Sequence, residues 1–165
     1  MTLIDQGYVD FGPIGSLSHL ERVFIWGPRV MDLGFLRTLQ NLRALQISGM
    51  GFTSPRPQIG DAEAICAVGN LTELTLASVQ VTSLNFLSGC HKLVELNLNG
   101  LPITSVDELA SIGTLKKISF VDVPVVEISP LLSLPNLEAV TFLRVPARAD
   151  VISELARRGV KVSNF

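Results

Sequence analysis

The sequence is poor in charge, in aromatic rings and in cysteine: 17% of its 165 residues are charged, 6% are aromatic, and there are two cysteines, Cys66 and Cys90. Each shortage removes a class of protein. Two cysteines without a CxxC or Cys/His spacing make neither a disulfide framework nor a zinc site, so a reducing compartment is expected. A net charge of −2 lacks the basic excess of a nucleic-acid binder. No apolar run approaches the roughly 18 residues that a membrane span needs. The first ten residues have no basic start followed by an apolar stretch, so cytoplasmic residence is the expectation. Phosphate-binding glycine loops, HExxH, GxSxG and calcium loops are all missing, and no cofactor is expected.

What the chain has is apolar residues, 47% of the total, in a strict period. Leu71, Leu93, Leu115 and Leu137 are 22 residues apart, as are Leu74, Leu96, Ile118 and Val140, and then Leu76, Leu98, Phe120 and Phe142. Val81, Ile103 and Val125 keep the register, as do Leu84, Val106 and Ile128, then Leu87, Leu109 and Leu131. Such a period is the mark of a stacked repeat. It runs back through Leu20, Val23, Ile25, Val30, Leu33, Leu36 and Leu39. Leu42 to Leu71 is 29 residues, seven too many. Because Ile47 and Ile59 are both in register with their own halves, the surplus lies between them, in SGMGFTSPRPQ, whose Gly, Pro and Ser content reads as a loop. The chain is one domain over residues 1–165. Residues 1–19 form a partial first repeat, 20–136 five repeats with an insert near 48–58, and 137–165 a last repeat with a C-terminal cap.

The pattern LxxLxLxxxxIxxLxxLxxLxx resembles the leucine-rich-repeat family, in its 22-residue internalin-like class, over nearly the whole chain. The resemblance implies an α/β fold: a right-handed leucine-rich-repeat solenoid with about seven or eight strands in a parallel concave sheet, and short helices or 3-10 turns on the convex side. It also implies an asparagine three residues after the last strand leucine. Here that position holds Pro28, Val79, Leu101, Val123 and Val145, so the turn's backbone groups must find other partners.

Side chains alternate along a strand. With Val23 and Ile25 inside, Phe24 and Trp26 face out. One outward column reads Phe24, Gln46, Thr75, Asn97, Ser119, Thr141; the next Trp26, Ser48, Ala77, Asn99, Val121, Leu143; a third Arg22, Ala44, Glu73, Glu95, Lys117, Ala139. On the opposite side, Ser105 and Glu108 fit a capping box with Gly113 as exit, and Asp61 and Gly69 bracket a similar turn. Asp150 is placed to cap a helix over 151–158 ended by Gly159, with Val160, Lys161 and Val162 as an edge strand.

Chemistry finds little footing. His19 and His91 lie more than three repeats apart and read as solvated turn residues. Cys90 beside His91 occupies a core slot, where a free thiol behaves as a small hydrophobe. Glu73 and Glu95 on neighbouring rungs could serve acid–base chemistry, or bind a cation or a basic partner, but Lys117 follows and would partly neutralise them, and a solvated patch is expected. Residues 57–140 carry nine acids against three bases, and residues 144–165 five bases against two acids; the basic end has no interleaved aromatics for nucleic acid and reads as a solvated cap.

Phe24 and Trp26 are the anomaly, because two large rings on one outward face are costly unless something covers them, whether the N-terminal rung, residues 1–8, another copy of the chain or a partner. They predict a partner protein rather than nucleic acid or membrane, bound by Phe24, Trp26, Met50 and Phe52 of the insert, Glu73, Glu95, Asn97, Asn99, Val121 and Leu143, with Pro55, Arg56 and Pro57 stiffening the insert. The expected protein is a non-enzymatic interaction module, of inhibitor or immunity type or a regulatory subunit; the alternative is the recognition domain of a larger enzyme or receptor. Edge strands at both ends offer unpaired backbone groups, and weak self-association through the N-terminal edge is expected.

Overall fold

Each repeat supplies one short strand, and a strand this short is stable only beside others. The computed structural model describes residues 1–4, 11–27, 30–49 and 56–164. The main sheet is eight-stranded and wholly parallel. In spatial order it comprises β1 (Thr2–Ile4), β2 (Arg22–Trp26), β4 (Ala44–Ser48), β6 (Glu73–Ala77), β7 (Glu95–Asn99), β8 (Lys117–Val121), β9 (Ala139–Leu143) and β10 (Lys161–Asn164). Every rung stacks in register, Val23 on Leu45, Leu45 on Leu74, Leu74 on Leu96, Leu96 on Ile118 and Ile118 on Val140. The insert therefore leaves the strand column undisturbed. Parallel neighbours need a crossover, and each returns through the opposite side of the solenoid.

That side carries 3-10 turns at Gly12–Ser16, Gly34–Thr38, Asn85–Gly89, Asp107–Ser111 and Ser129–Ser133, and a single α-helical turn, α1 (Ala64–Ala67), in the long repeat. Between the layers runs one continuous core of leucine, isoleucine, valine and phenylalanine. Phe120 and Phe142, both fully buried, stack with ring centroids 5.7 Å apart and planes 4° from parallel.

The backbone groups that the missing asparagine column leaves over are satisfied in two other ways. After β2, β6, β7, β8 and β9 the chain turns through left-handed backbone, with φ of 77° at Gly27, 54° at Ser78, 59° at Gly100, 52° at Asp122 and 53° at Arg144, while Gly49 after β4 does not. The N–H of the residue after β2, β4, β6, β7 and β8 points along the stack. Gly27, Gly49, Ser78, Gly100 and Asp122 donate to the carbonyls of Ser48, Ala77, Asn99, Val121 and Leu143 on the next rung, at 2.8–3.0 Å. Val79, Leu101 and Val123 then pack into the core. Before β4, β6, β8 and β9, polar side chains one residue ahead of the repeat leucine make a second ladder. The amides of Asn41, Asn70 and Asn136 donate to the carbonyls of Ser18, Gln40 and Gly113, and Thr114 donates to Leu93.

The insert is more than a loop. Its end forms β5 (Gln58–Gly60), which pairs with β3 (Val30–Asp32) in a second, two-stranded parallel sheet, and Gln80 adds a bridge. The Gln80 N–H donates to the Pro57 carbonyl at 2.7 Å. The corresponding residues in later repeats are Pro102, Pro124 and Pro146, which have no N–H, so the second sheet stops there. Pro57 is buried, and a Cβ on Gly49 would lie 2.2 Å from the Ser78 carbonyl oxygen and 3.0 Å from Pro57 Cδ. Gly49→Ala should therefore destabilise the protein by about 1–3 kcal/mol, measured by urea melts; an unchanged midpoint would mean that the base of the insert yields.

Three local expectations are corrected. Ser105 makes no capping box: its hydroxyl accepts from the Asp107 N–H and donates to the Asp107 carboxylate, while one Glu108 oxygen takes Ser83 and the other is buried without a partner. A 3-10 turn is too tight for the reciprocal bonds of an α-helical cap. Asp150 does not cap the last helix, α2 (Ala149–Arg157); it lies in the first turn and pairs with the N-cap residue, Arg148. Cys90 is not a free thiol, as described below. Gly159, at φ 88°, ends α2 as expected.

Candidate protein interface

The outward face of the sheet presents the three columns that alternation requires. Phe24, Gln46, Thr75, Asn97, Ser119 and Thr141 are half-buried along its middle. Trp26 is 57% exposed, the most of any large apolar side chain among the described residues. Trp26 pairs in register with Ser48, Ser48 with Ala77 and Ala77 with Asn99. The indole thus overlooks a floor of small side chains, with Val121 and Leu143 half-buried at the far end. Neither the Phe24 column nor the Trp26 column carries a charge on these rungs.

Charge is confined to the third column, where the structure differs from expectation. Arg22 reaches across the Ala44 rung and forks onto both Glu73 oxygens, at 3.2 and 3.3 Å. The neutralising partner of Glu73 is therefore Arg22 rather than Lys117. The small Ala44 between two opposite charges was the signal for it. Glu95 accepts from the Asn97 amide at 3.2 Å, and the same amide donates to Thr75 at 3.3 Å. Glu73 is thus engaged on both oxygens by an arginine and Glu95 by an amide, so each carboxylate has its own partner. Met50 and Phe52 lie outside the described residues.

The basic C-terminal end is largely cancelled. Arg144 forks onto Asp122 from the next left-handed turn, Arg148 bridges Glu127 and Asp150, and Arg157 and Arg158 share Glu154. Hydrogen bonds from Arg157, then Arg158, hold the Glu154 carboxyl at about 2, below its ordinary 4.5. Because the folded value is the lower one, this contribution is complete above about pH 4.5 and fades as pH falls toward 2. The site is solvent-facing, so the effect is modest. Glu154→Gln should remove the acid-side loss of amide protection in α2 between pH 4.5 and 2; an identical pH profile in the variant would refute the assignment.

On the opposite side Cys66 and Cys90 form a disulfide, with Cα atoms 4.7 Å apart and a sequence separation of 24. The free, core-filling Cys90 expected from the sequence is thus half of a cross-link, and both cysteines are buried. A period of 22 sets any two residues separated by 22–24 on neighbouring rungs, and that was the available signal. It was masked because Cys66 falls at a position occupied elsewhere by the outward Arg37 and Ser88, one that α1 turns inward. His19 and His91 are exposed, as expected. Among the described residues no three His, Cys, Asp or Glu gather in a way that could hold a metal ion, and no helix is long and apolar enough to cross a membrane.

Neither a protein-family model nor a curated protein sequence matches the chain. Solved structures do. An internalin C2 from Listeria monocytogenes superposes with a TM-score of 0.65 at 21% identity, over 98% of this chain and 78% of that one. An internalin (inlF) from the same organism gives 0.68 at 18% identity, over 94% of this chain and 52% of the other. A plant peptide hormone receptor, RGFR1, solved in complex with RGF2, gives 0.60 at 13% identity, over 82% and 26%. The chain thus spans about half of the second and a quarter of the third. The shared architecture, together with the 22-residue period and the parallel sheet, gives this chain the leucine-rich-repeat fold in its internalin-like form.

Proposed function

We propose that the protein is a non-enzymatic binding module that takes a partner protein against the outward face of its sheet, anchored on Trp26 and Phe24. The observation that carries the reading is the exposure of Trp26 beside Phe24, over a floor of small side chains in two uncharged columns. Folding leaves that apolar area in water, and tryptophan is among the residues most enriched at binding hot spots. The receptor with a similar fold was solved with its peptide hormone bound, which supports a polypeptide ligand. Asn97, Asn99, Val121 and Leu143 extend the surface along the stack, and Glu73 and Glu95 border it. Binding there suits an inhibitor, immunity-type or regulatory protein. The second reading, a recognition domain within a larger enzyme or receptor, is favoured by the chain's matching only 52% and 26% of two structural neighbours.

A buried disulfide belongs to an oxidising environment more readily than to the cytosol. It removes the cysteine argument for cytoplasmic residence, and we place the working protein in a compartment where the bond persists. The test of the binding reading is affinity capture of partners by the wild-type chain and by Phe24→Ala/Trp26→Ala, identified by mass spectrometry. A partner retained equally by both would move the interface elsewhere.

A further inference from the structure

Of the chain's asparagines, Asn41, Asn70, Asn85, Asn97, Asn136 and Asn164 are each followed by leucine or phenylalanine, and Asn99 alone is followed by glycine. The difference is chemical. The carboxamide carbon of an asparagine is one ring closure away from the main-chain nitrogen of the next residue. A bulky side chain on that residue obstructs an approach that glycine leaves open. The structure sets Asn99 apart a second time. The amides of Asn41, Asn70, Asn97 and Asn136 donate to carbonyl, hydroxyl or carboxylate oxygens, whereas the exposed Asn99 amide has no partner among the described residues. It ends β7 in the Trp26 column, in register with Ala77 and Val121. Nor does the turn demand Gly100. Its φ of 59° is matched on the neighbouring rungs by Ser78 at 54° and Asp122 at 52°. A Cβ on Gly100 would meet nothing nearer than Ser78 Oγ at 3.5 Å. The Asn-Gly pair is therefore a chemical feature of this rung rather than a requirement of the fold.

We propose that Asn99–Gly100 is a self-modification site, where the chain converts Asn99 to aspartate or iso-aspartate and so installs a carboxylate in the uncharged Trp26 column. The Gly100 nitrogen gives its proton to solvent base and attacks Asn99 Cγ. The new N–Cγ bond forms, the Cγ–Nδ2 bond breaks, and Nδ2 takes up a proton and leaves as ammonia. Water then opens the five-membered imide. Addition at Cγ gives aspartate; addition at the Asn99 main-chain carbonyl gives iso-aspartate, with the main chain routed through Cβ. Nothing is oxidised or reduced, and water is the one reagent consumed. The fold sets the pace. The Gly100 N–H donates to the Val121 carbonyl and the Asn99 carbonyl accepts from the Ser78 N–H, both at 2.8 Å. The turn must open locally before the nitrogen can swing toward Cγ. The product is ionised at neutral pH, beside columns that carry no charge on these rungs. Iso-aspartate also lengthens the main chain, which disturbs the ladder between β6 and β8.

The chemistry stands apart from the binding reading and is tested apart from it. Wild-type protein, Gly100→Ser and Asn99→Gln are held side by side in mildly alkaline buffer and followed by charge-resolved chromatography and peptide mapping. The wild type is expected to accumulate a form more acidic by one charge, with NH2 replaced by OH in the peptide that contains residue 99. Gly100→Ser, which copies the Ser78 turn, should lose most of that form. Asn99→Gln, whose longer side chain would have to close a six-membered ring, should all but abolish it. If Gly100→Ser does not fold, Asn99→Gln, altered only at an exposed side chain, gives the comparison alone. Three outcomes overturn the proposal: a wild type unchanged under conditions that convert a peptide of residues 95–104, an acidic form that maps to another asparagine, and equal conversion in Gly100→Ser. The effect on a partner rests on the binding reading and is read by capture with Asn99→Asp. An unpaired charge within the contact should weaken retention by about tenfold or more, and equal retention would overturn that effect alone.

Discussion

Phe120→Ala is expected to cost about 3–5 kcal/mol of folding stability, the range for removing a fully buried phenylalanine. Phe120 has no exposed surface and stacks on Phe142, itself fully buried, on the next rung. Truncation therefore forfeits both the transfer of a ring out of water and a parallel stack, and leaves a cavity between two rungs. The backbone around that cavity is pinned by the ladder from Gly100 to Val121 and from Asp122 to Leu143, so it has little freedom to close. Denaturant melts of the variant against Val126→Ala, whose side chain is half exposed and should matter by less than about 0.5 kcal/mol, measure the difference. A loss under about 1 kcal/mol for Phe120→Ala would show that the rungs slide together, and that this solenoid is softer than its register implies.

The fold was legible because one physical signal was repeated along the chain. Leu74, Leu96, Ile118 and Val140 each specify the same inward position, and an error in one repeat is outvoted by the others. Alternation then placed Phe24 and Trp26 outward without any further assumption. Failures cluster where a residue acts once. The disulfide depends on α1 replacing a 3-10 turn in a single repeat, and periodicity has no power over a feature without a period. The capping box at Ser105 failed for a related reason. The residues suit an α-helical start, but a five-residue 3-10 turn offers different N–H positions. Length alone, nine positions from Val106 to Leu115, leaves no room for a longer helix.

The candidate site divides the same way. Its columns follow from the strand pattern, whereas its electrostatics do not, because pairing depends on reach. Arg22 spans two rungs to Glu73 over a methyl group, a distance of roughly 10 Å of sheet, and a residue shorter than arginine could not make the fork. Two turn ladders replace the missing asparagine column. One was written in the sequence as Asn41, Asn70 and Asn136 before the repeat leucines; the other belongs to the backbone and has no side chain to read.

Truncating the aromatic pair should then have opposite consequences for binding and for folding. Trp26 leaves most of its surface in water, so Trp26→Ala alone should shift the melting temperature hardly at all. Phe24 is half-buried between the neighbouring rungs, and its loss should cost a modest part of a core truncation. Each ring is expected to contribute at least about 2 kcal/mol to association, or roughly thirtyfold in affinity. The double variant, weakened by about a thousandfold if the two are independent, should retain no measurable partner in a capture experiment while keeping its circular-dichroism spectrum. Glu73→Gln with Glu95→Gln acts on a different quantity: it removes charge at the border of the surface, and should alter association rate and salt dependence more than dissociation. It also frees Arg22, so its effect is to be read against Arg22→Ala, which breaks the same fork without removing an acid. Titration calorimetry of these variants separates the contributions. An aromatic double variant that unfolds makes the pair structural, and one that folds and binds at full strength moves the interface off the N-terminal rungs.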